Sequence, residues 1–169
     1  NFDADWDTVA YGYGLDSSDP DAATYRGPAP ASEPETRATV AFIRDCEPCA
    51  VFSFHCLASI CSNAFLVSAQ AADDPEFIER AGRIATWYQQ GMFPEIETAA
   101  GLHFGCSSGS LPHWLYRKRR TPAFDLELGS DEEAKPCVRD ETTRGILDTY
   151  RERHFGGLVN VLENLIRQP

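Results

Sequence analysis

Ala50–His55, which reads Ala-Val-Phe-Ser-Phe-His, is the stretch of sequence that decides the fold. It is short, apolar and rich in residues that favour β-structure, and the Cys-Leu-Ala-Ser that follows has lost this character. An apolar run without alternation predicts a central strand that is buried on both faces. His55 would then lie at the carboxyl end of the strand, which is the edge where open α/β sheets place their chemistry.

A second run, Pro122–Leu128, has the same design and carries a carboxylate, Glu127, close to its end. His55 and Glu127, each at or near the end of a predicted strand, are the candidate functional residues of this chain. Taken alone, each residue also has a structural interpretation. His55 would be a hydrogen-bonded core histidine, and Glu127 a salt-bridged strand end.

The segments around these strands read as helices with apolar residues at helical spacing. The first is predicted to start at Ser32, with Ser32 as N-cap and Glu35 completing a capping box, and to end near Asp45. The other predicted elements are a short strand at Phe65–Val67, a helix at Asp73–Gln90, a helical turn at Leu111–Tyr116 and a final helix at Glu141–Arg167, which Gly156-Gly157 would kink or split. Strands separated by helices predict a three-layer α/β fold with a mainly parallel or mixed sheet, and a single domain over residues 1–169.

Composition excludes some classes of partner. The formal charge is −11, which argues against nucleic acid, and the only basic cluster, Arg117–Arg120, is predicted to be a solvated loop before a strand. No apolar run approaches the roughly 20 residues of a membrane-spanning helix, so no membrane partner is expected. An acidic chain with six cysteines favours a secreted protein.

The cysteines leave several interpretations open. Cys46-x-x-Cys49 fits a tight disulfide, a redox pair or half of a metal site. With Cys56 and Cys61 it would give a four-thiolate cluster, although the predicted strand separates the two pairs. Disulfides or buried thiols are the simpler interpretation.

Four motifs, in order along nearly the whole chain, are similar to motifs of the zinc carboxypeptidases of the A and B type. These are Asn1-Phe2-Asp3, Thr24-Tyr25-Arg26-Gly27-Pro28 with the helix after it, Phe52-Ser53-Phe54-His55, and Phe124-Asp125-Leu126-Glu127-Leu128. The chain therefore resembles the C-terminal portion of that family's catalytic domain, and the family's fold is the expected one.

The resemblance implies that His55 is a zinc ligand and Glu127 the general base. The substrate would be the C-terminus of a peptide or protein. A site with two histidines and one glutamate leaves a fourth zinc position for water, whose pKa the metal lowers toward about 7. A nearby glutamate can take that proton and pass it to the leaving amine.

The chain also departs from the family. None of its four histidines is followed three residues later by glutamate, so the His-x-x-Glu motif that supplies the other two ligands is absent. The Asn-Arg pair expected before Asn1 is absent too. The chain alone is therefore expected to be inactive, as a truncated portion whose partner segment carries His-x-x-Glu. The alternative is a non-catalytic binding or structural module that keeps the fold, and a cysteine-based metal or redox domain is a third possibility.

Three residues bear on the expected substrate. Phe104 falls where the family usually has a mobile tyrosine, so a hydroxyl that assists binding would be missing. Leu111 matches the specificity-pocket position and suggests an apolar C-terminal residue. Asp125, two residues before Glu127, shares its strand face and would favour Lys or Arg if it reached the pocket. Its structural alternative is a hydrogen bond to a neighbouring loop.

Overall fold

The structure, a computed structural model, describes residues 1–8, 17–23, 25–56, 64–106, 108–128 and 141–167. Side-chain surroundings are described for all of these residues except 56, 127–128 and 141–147. The helices are α1 (Pro34–Cys46), α2 (Pro75–Met92), α3 (Leu111–Arg119) and α4 (Glu141–Arg167), with a 3₁₀ helix at Ala69–Asp73. The strands are β1 (Val51–Cys56), β2 (Phe65–Ser68), β3 (Leu102–Cys106) and β4 (Ala123–Leu128).

The four strands form one mixed sheet in the order β1-β4-β2-β3, which confirms the predicted α/β class. β1 is predicted to be a buried central strand. Among the strands that the structure describes, however, β1 lies at an edge of the sheet, so for these strands the prediction is wrong. Phe54 is 47% exposed and His55 is exposed as well. An apolar run shows that its side chains favour burial, but it does not identify a segment that covers them.

Helix α1 begins one residue later than its capping signal predicts. Its N-cap is Glu33, with extended backbone and no side-chain cap, so the predicted Ser32 N-cap is wrong. The Ser32 hydroxyl donates instead to Glu33 Oε1 at 2.7 Å, and Asn1 Nδ2 donates to Ser32 Oγ at 3.3 Å. Pro34 occupies the first turn as expected.

The basic cluster is helical, so its prediction as a solvated loop is wrong. Arg117, Lys118 and Arg119 form the last turn of α3, and Arg120 is its left-handed C-cap with φ 55°. Cations are favourable at this helix end because they complement the negative end of the dipole. Their carboxylate partners, in the same order, are Asp5 at 3.6 Å, Asp3 at 3.8 Å, Glu47 at 2.7 Å, and Asp74.

Helix α4 runs without interruption through Gly156-Gly157, so these glycines do not split it. They allow close packing on α2. A Cβ built on Gly156 would lie 2.6 Å from the carbonyl oxygen of Gly91, and one built on Gly157 would lie 2.9 Å from the Tyr88 ring. Asn160 Nδ2 also donates to the Trp87 carbonyl at 2.7 Å. Apolar residues at helical spacing in α4 are not all buried, since Val161 is 3% exposed and Leu162 is 58% exposed.

Residue contacts divide the chain into two compact units. Unit 1 comprises residues 1–53, 66–78 and 103–125, and its core joins α1, α3 and the starts of β1 and β4 through a cluster of Ala4, Ile43, Trp114, Leu115 and Ala123. Unit 2 comprises residues 54–65, 79–102 and 126–169, and its buried side chains include Phe65, Ala81, Ile84, Ala85, Tyr88, Met92, Leu126 and Val161. The single-domain description stays a prediction. No helix in the described part of the chain has the length and apolarity needed to cross a membrane.

Candidate active site

Strands β1 and β4 lie side by side and begin at the same level. The Val51 amide donates to the Pro122 carbonyl at 3.0 Å. One residue further along β1, the Phe52 ring stacks on the Phe124 ring, with centroids 5.1 Å apart and planes inclined by 18°. Residue numbers rise together along the two strands, from the Val51–Pro122 contact to the Phe52–Phe124 contact. Strands β1 and β4 are therefore parallel.

This register brings the two predicted catalytic positions level with each other. His55 is three residues beyond Phe52, and position 127 is three residues beyond Phe124. The equal spacing leaves the backbone positions 55 and 127 at neighbouring strand ends with the same parity in the pleat. Both positions belong to unit 2, and both are at carboxyl ends of strands, where chemistry is found in open α/β sheets.

The predicted specificity residues lie elsewhere in the fold. Phe104 is on β3 and 37% exposed. Leu111 opens α3 and packs, half-buried, against the hydrophobic cluster of unit 1. Asp125 accepts a hydrogen bond from the Cys106 thiol, at the end of β3, at 3.4 Å. Their roles toward a substrate stay predictions.

The N-terminal segment joins several of the sequence motifs. Asn1 Nδ2 donates to the carbonyls of Arg26 and Ala29, and the Glu33 amide donates to Asn1 Oδ1 at 3.1 Å. The Phe2 amide donates to the Gly109 carbonyl at 2.8 Å. Asn1 therefore links the segment around Gly27 to the start of α1. Phe2 links both to the loop before α3.

Ser68, His113 and Asp5 form a buried chain of hydrogen bonds that was not predicted from the sequence. His113 Nε2 lies 2.7 Å from Asp5 Oδ2, and Nδ1 lies 2.9 Å from Ser68 Oγ. Because a carboxylate only accepts, His113 Nε2 carries a proton and donates it to Asp5 Oδ2. The hydrogen bond from His113 holds the pKa of Asp5 below its usual 3.8, and the nearby Arg117 adds to this, although partial burial opposes it.

These residue types can form a nucleophilic triad, but the location of Ser68 excludes that use. Ser68 is fully buried and His113 is 1% exposed, so no peptide can reach the hydroxyl. A triad also needs its base within reach of a bound substrate. The chain of hydrogen bonds is therefore structural, and it ties the N-terminal segment and β2 to α3. Its members are 45 and 108 residues apart, and no local pattern links them.

A second buried pair holds α4 on α2. The Tyr88 hydroxyl and His154 Nδ1 are hydrogen-bonded at 2.8 Å, and the Phe54 ring meets the His154 ring edge-on at 5.8 Å. His154 Nε2 is buried, and no described residue hydrogen-bonds to it. Burial lowers the pKa of His154, with a contribution from the neighbouring Arg153, and burial raises the pKa of Tyr88.

Among the described residues, no group of three or more His, Cys, Asp or Glu side chains could hold a metal ion. A protein zinc site needs at least three such ligands, so these residues do not fit a zinc ion on their own. Cys46 and Cys49 are exposed free thiols, which is inconsistent with a disulfide between them, and Cys106 is a buried free thiol. Cys61 and the Cys56 side chain are outside the described part, so the four-thiolate cluster stays untested.

The fold is similar to a known peptidase structure. The solved structure of bovine thrombin-activatable fibrinolysis inhibitor in complex with tick carboxypeptidase inhibitor matches with a TM-score of 0.64 and 16% sequence identity. The match covers 91% of this chain and 52% of that one, so this chain spans about half the length of that relative. At this identity the likeness establishes the fold alone.

Sequence comparison establishes the family. No curated protein sequence matches the chain. A sequence model of the zinc carboxypeptidases, however, matches residues 1–147, which is most of the 169 residues. The chain therefore belongs to the zinc carboxypeptidase family.

Proposed function

We propose that this chain supplies part of the active site of a carboxypeptidase that removes the C-terminal residue of a peptide or protein. His55 would be one zinc ligand and Glu127 the general base. The observation that carries this proposal is the pairing of β1 with β4, in which positions 55 and 127 are level at the carboxyl ends of adjacent strands. Family membership over residues 1–147 supports the same assignment.

The two residue types suit these roles. A neutral imidazole offers a nitrogen lone pair, and the exposed location of His55 leaves it accessible. A carboxylate can accept a proton from the attacking water and deliver it to the amine that leaves, so one residue serves both halves of the hydrolysis. Adjacent strand ends are rigid supports for such a pair.

A complete site needs more than this chain's described residues provide. The remaining ligands would come from a segment that carries His-x-x-Glu, which this sequence lacks. In the complete site we assign Phe104, Leu111 and Asp125 to substrate binding. Leu111 would favour an apolar C-terminal residue, whereas Asp125 would favour Lys or Arg. We further propose that the protein acts outside the cell, on the basis of its acidic composition and six cysteines.

The test uses the protein as the cell produces it. Intact mass would show whether a polypeptide with His-x-x-Glu accompanies the chain. Zinc content and the release of C-terminal residues from a peptide library would then be measured. Glu127→Gln is expected to lower kcat by at least about 100-fold while zinc is retained, because the proton acceptor is lost. His55→Ala is expected to lower the zinc content.

Two matched variants serve as controls. His103→Ala removes an exposed histidine from β3, and Glu163→Gln neutralises an exposed glutamate on α4. Both are expected to leave zinc and activity unchanged. Wild-type activity that survives Glu127→Gln would refute the assignment of the base. Protein that holds no zinc and cleaves no peptide, even beside a partner with His-x-x-Glu, would favour a non-catalytic module.

A further inference from the structure

A groove of about 400 Å³ lies within unit 1 between α1 and α3. Along α1, Arg37, Ala41 and Arg44 recur at spacings of four and three residues, so they follow one face of the helix. On α3, Trp114 and Lys118 are likewise four residues apart. The complete lining is Asp3, Ala31, Arg37, Val40, Ala41, Arg44, Trp114 and Lys118.

The groove is cationic, although the protein carries a formal charge of −11. Three basic side chains and one carboxylate line it. Lys118 is 3.8 Å from that carboxylate, Asp3, and is therefore partly neutralised. Neither Arg37 nor Arg44 has a carboxylate within ion-pair distance among the described residues, although an Arg37 nitrogen donates to backbone carbonyls of the preceding loop. The two guanidinium groups are thus available to an anion.

The spacing of these arginines determines how far apart the acidic groups of a ligand must be. Seven residues of helix separate Arg37 from Arg44, a rise of about 10 Å. In an extended peptide of polyproline II conformation, side chains three residues apart lie on the same face and are about 9 Å apart. Between the arginines the groove offers apolar surface from Val40, which is half-buried, and from Ala41, which is exposed. Guanidinium groups bind carboxylates through paired, planar hydrogen bonds.

We propose that this groove binds an extended acidic peptide segment with two carboxylates three residues apart and an aliphatic side chain between them. Each carboxylate would meet one arginine, and the aliphatic side chain would lie on Val40 and Ala41. The acidic surface elsewhere repels such a segment, so charge complementarity directs it to this groove. The inference does not depend on the proposed peptidase activity.

The test is fluorescence anisotropy at low ionic strength with a labelled peptide containing Glu-Leu-Gly-Glu. Binding is expected for this peptide and not for its Gln-Leu-Gly-Gln analogue. Arg44→Glu should weaken binding by about fivefold or more, because it removes one ion pair and adds repulsion. Arg151→Glu is the matched control, since it makes the same charge change on α4, where Arg151 is 75% exposed, and it should change binding by less than about twofold.

Several outcomes would overturn the proposal. One is a lack of binding at millimolar peptide, and another is equal affinity for the glutamine analogue. Equal weakening by the two charge reversals would show a general effect of net charge rather than a site. Circular dichroism confirms that each variant is folded. Sedimentation analysis in which Arg44→Glu abolishes self-association would instead assign the groove to a second copy of the chain.

Discussion

Gly91→Ala provides the sharpest test of how α2 packs on α4. A Cβ added at Gly91 would lie 2.4 Å from the carbonyl oxygen of Gly156 and 2.8 Å from Cα of Gly157. A comfortable carbon–oxygen contact is about 3.3 Å, so the helices would have to separate by about 0.9 Å. The atoms in the way are backbone and cannot rotate aside.

Overpacking of this kind costs about 1–3 kcal/mol, and backbone contacts belong in the upper part of that range. Alanine has a better helix propensity than glycine, which offsets up to about 1 kcal/mol of this cost. The offset is smaller at a helix end. The expected net loss is therefore about 1–2 kcal/mol in the free energy of unfolding. In a chain of this size that corresponds to a fall in Tm of about 3–6 °C.

Gly82→Ala is the matched control, because it makes the same substitution in the same helix. A Cβ there meets nothing within 4 Å, so only the propensity gain remains, and the protein should be stabilised by about 0.5–1 kcal/mol. Urea unfolding followed by circular dichroism measures both variants. If Gly91→Ala proves as stable as Gly82→Ala, the close approach of the two helices is wrong.

Four further predictions concern the buried histidines and their partners. His113→Leu should cost about 2–3 kcal/mol, because it leaves Asp5 and Ser68 without their shared partner. The lowered pKa of Asp5 adds stability that is present above its ordinary 3.8 and lost as the pH falls through the folded-state value, so Asp5→Asn should flatten the pH dependence of Tm in acid. Tyr88→Phe should cost about 1–2 kcal/mol by removing the hydrogen bond to His154, and an unchanged urea midpoint would contradict this. Because burial lowers the pKa of His154, the unfolded chain binds this proton first as the pH falls below 6.5, so stability should decrease there, and His154→Leu should remove that slope.

The sequence predicts the secondary structure well where local pattern determines it. The predicted bounds of α4 agree with the structure, and α2 begins and ends two residues later than expected. The level ends of β1 and β4 follow from two apolar runs of similar length. The capping error at Ser32 has a distant cause, since Asn1 contacts this residue from 31 positions away. Composition alone cannot reveal such a partner.

Features that depend on tertiary context were missed for the same reason. The basic cluster after Tyr116 looks like a solvated loop until its acidic partners are known. The hydrogen-bonded chain through His113 joins residues that are far apart in sequence. The edge location of β1 among the described strands depends on strand order, which an apolar run does not encode.

The pairing of β1 with β4 sets a rule for changes in chain length. Deleting one residue between Phe124 and Glu127 would shift backbone position 127 by about 3.3 Å along β4 and reverse its parity in the pleat relative to position 55. Insertions in the loops between the elements that join the two strands would leave their alignment intact. These loops can therefore lengthen or shorten as the protein diverges, whereas the few residues inside each strand must keep their number.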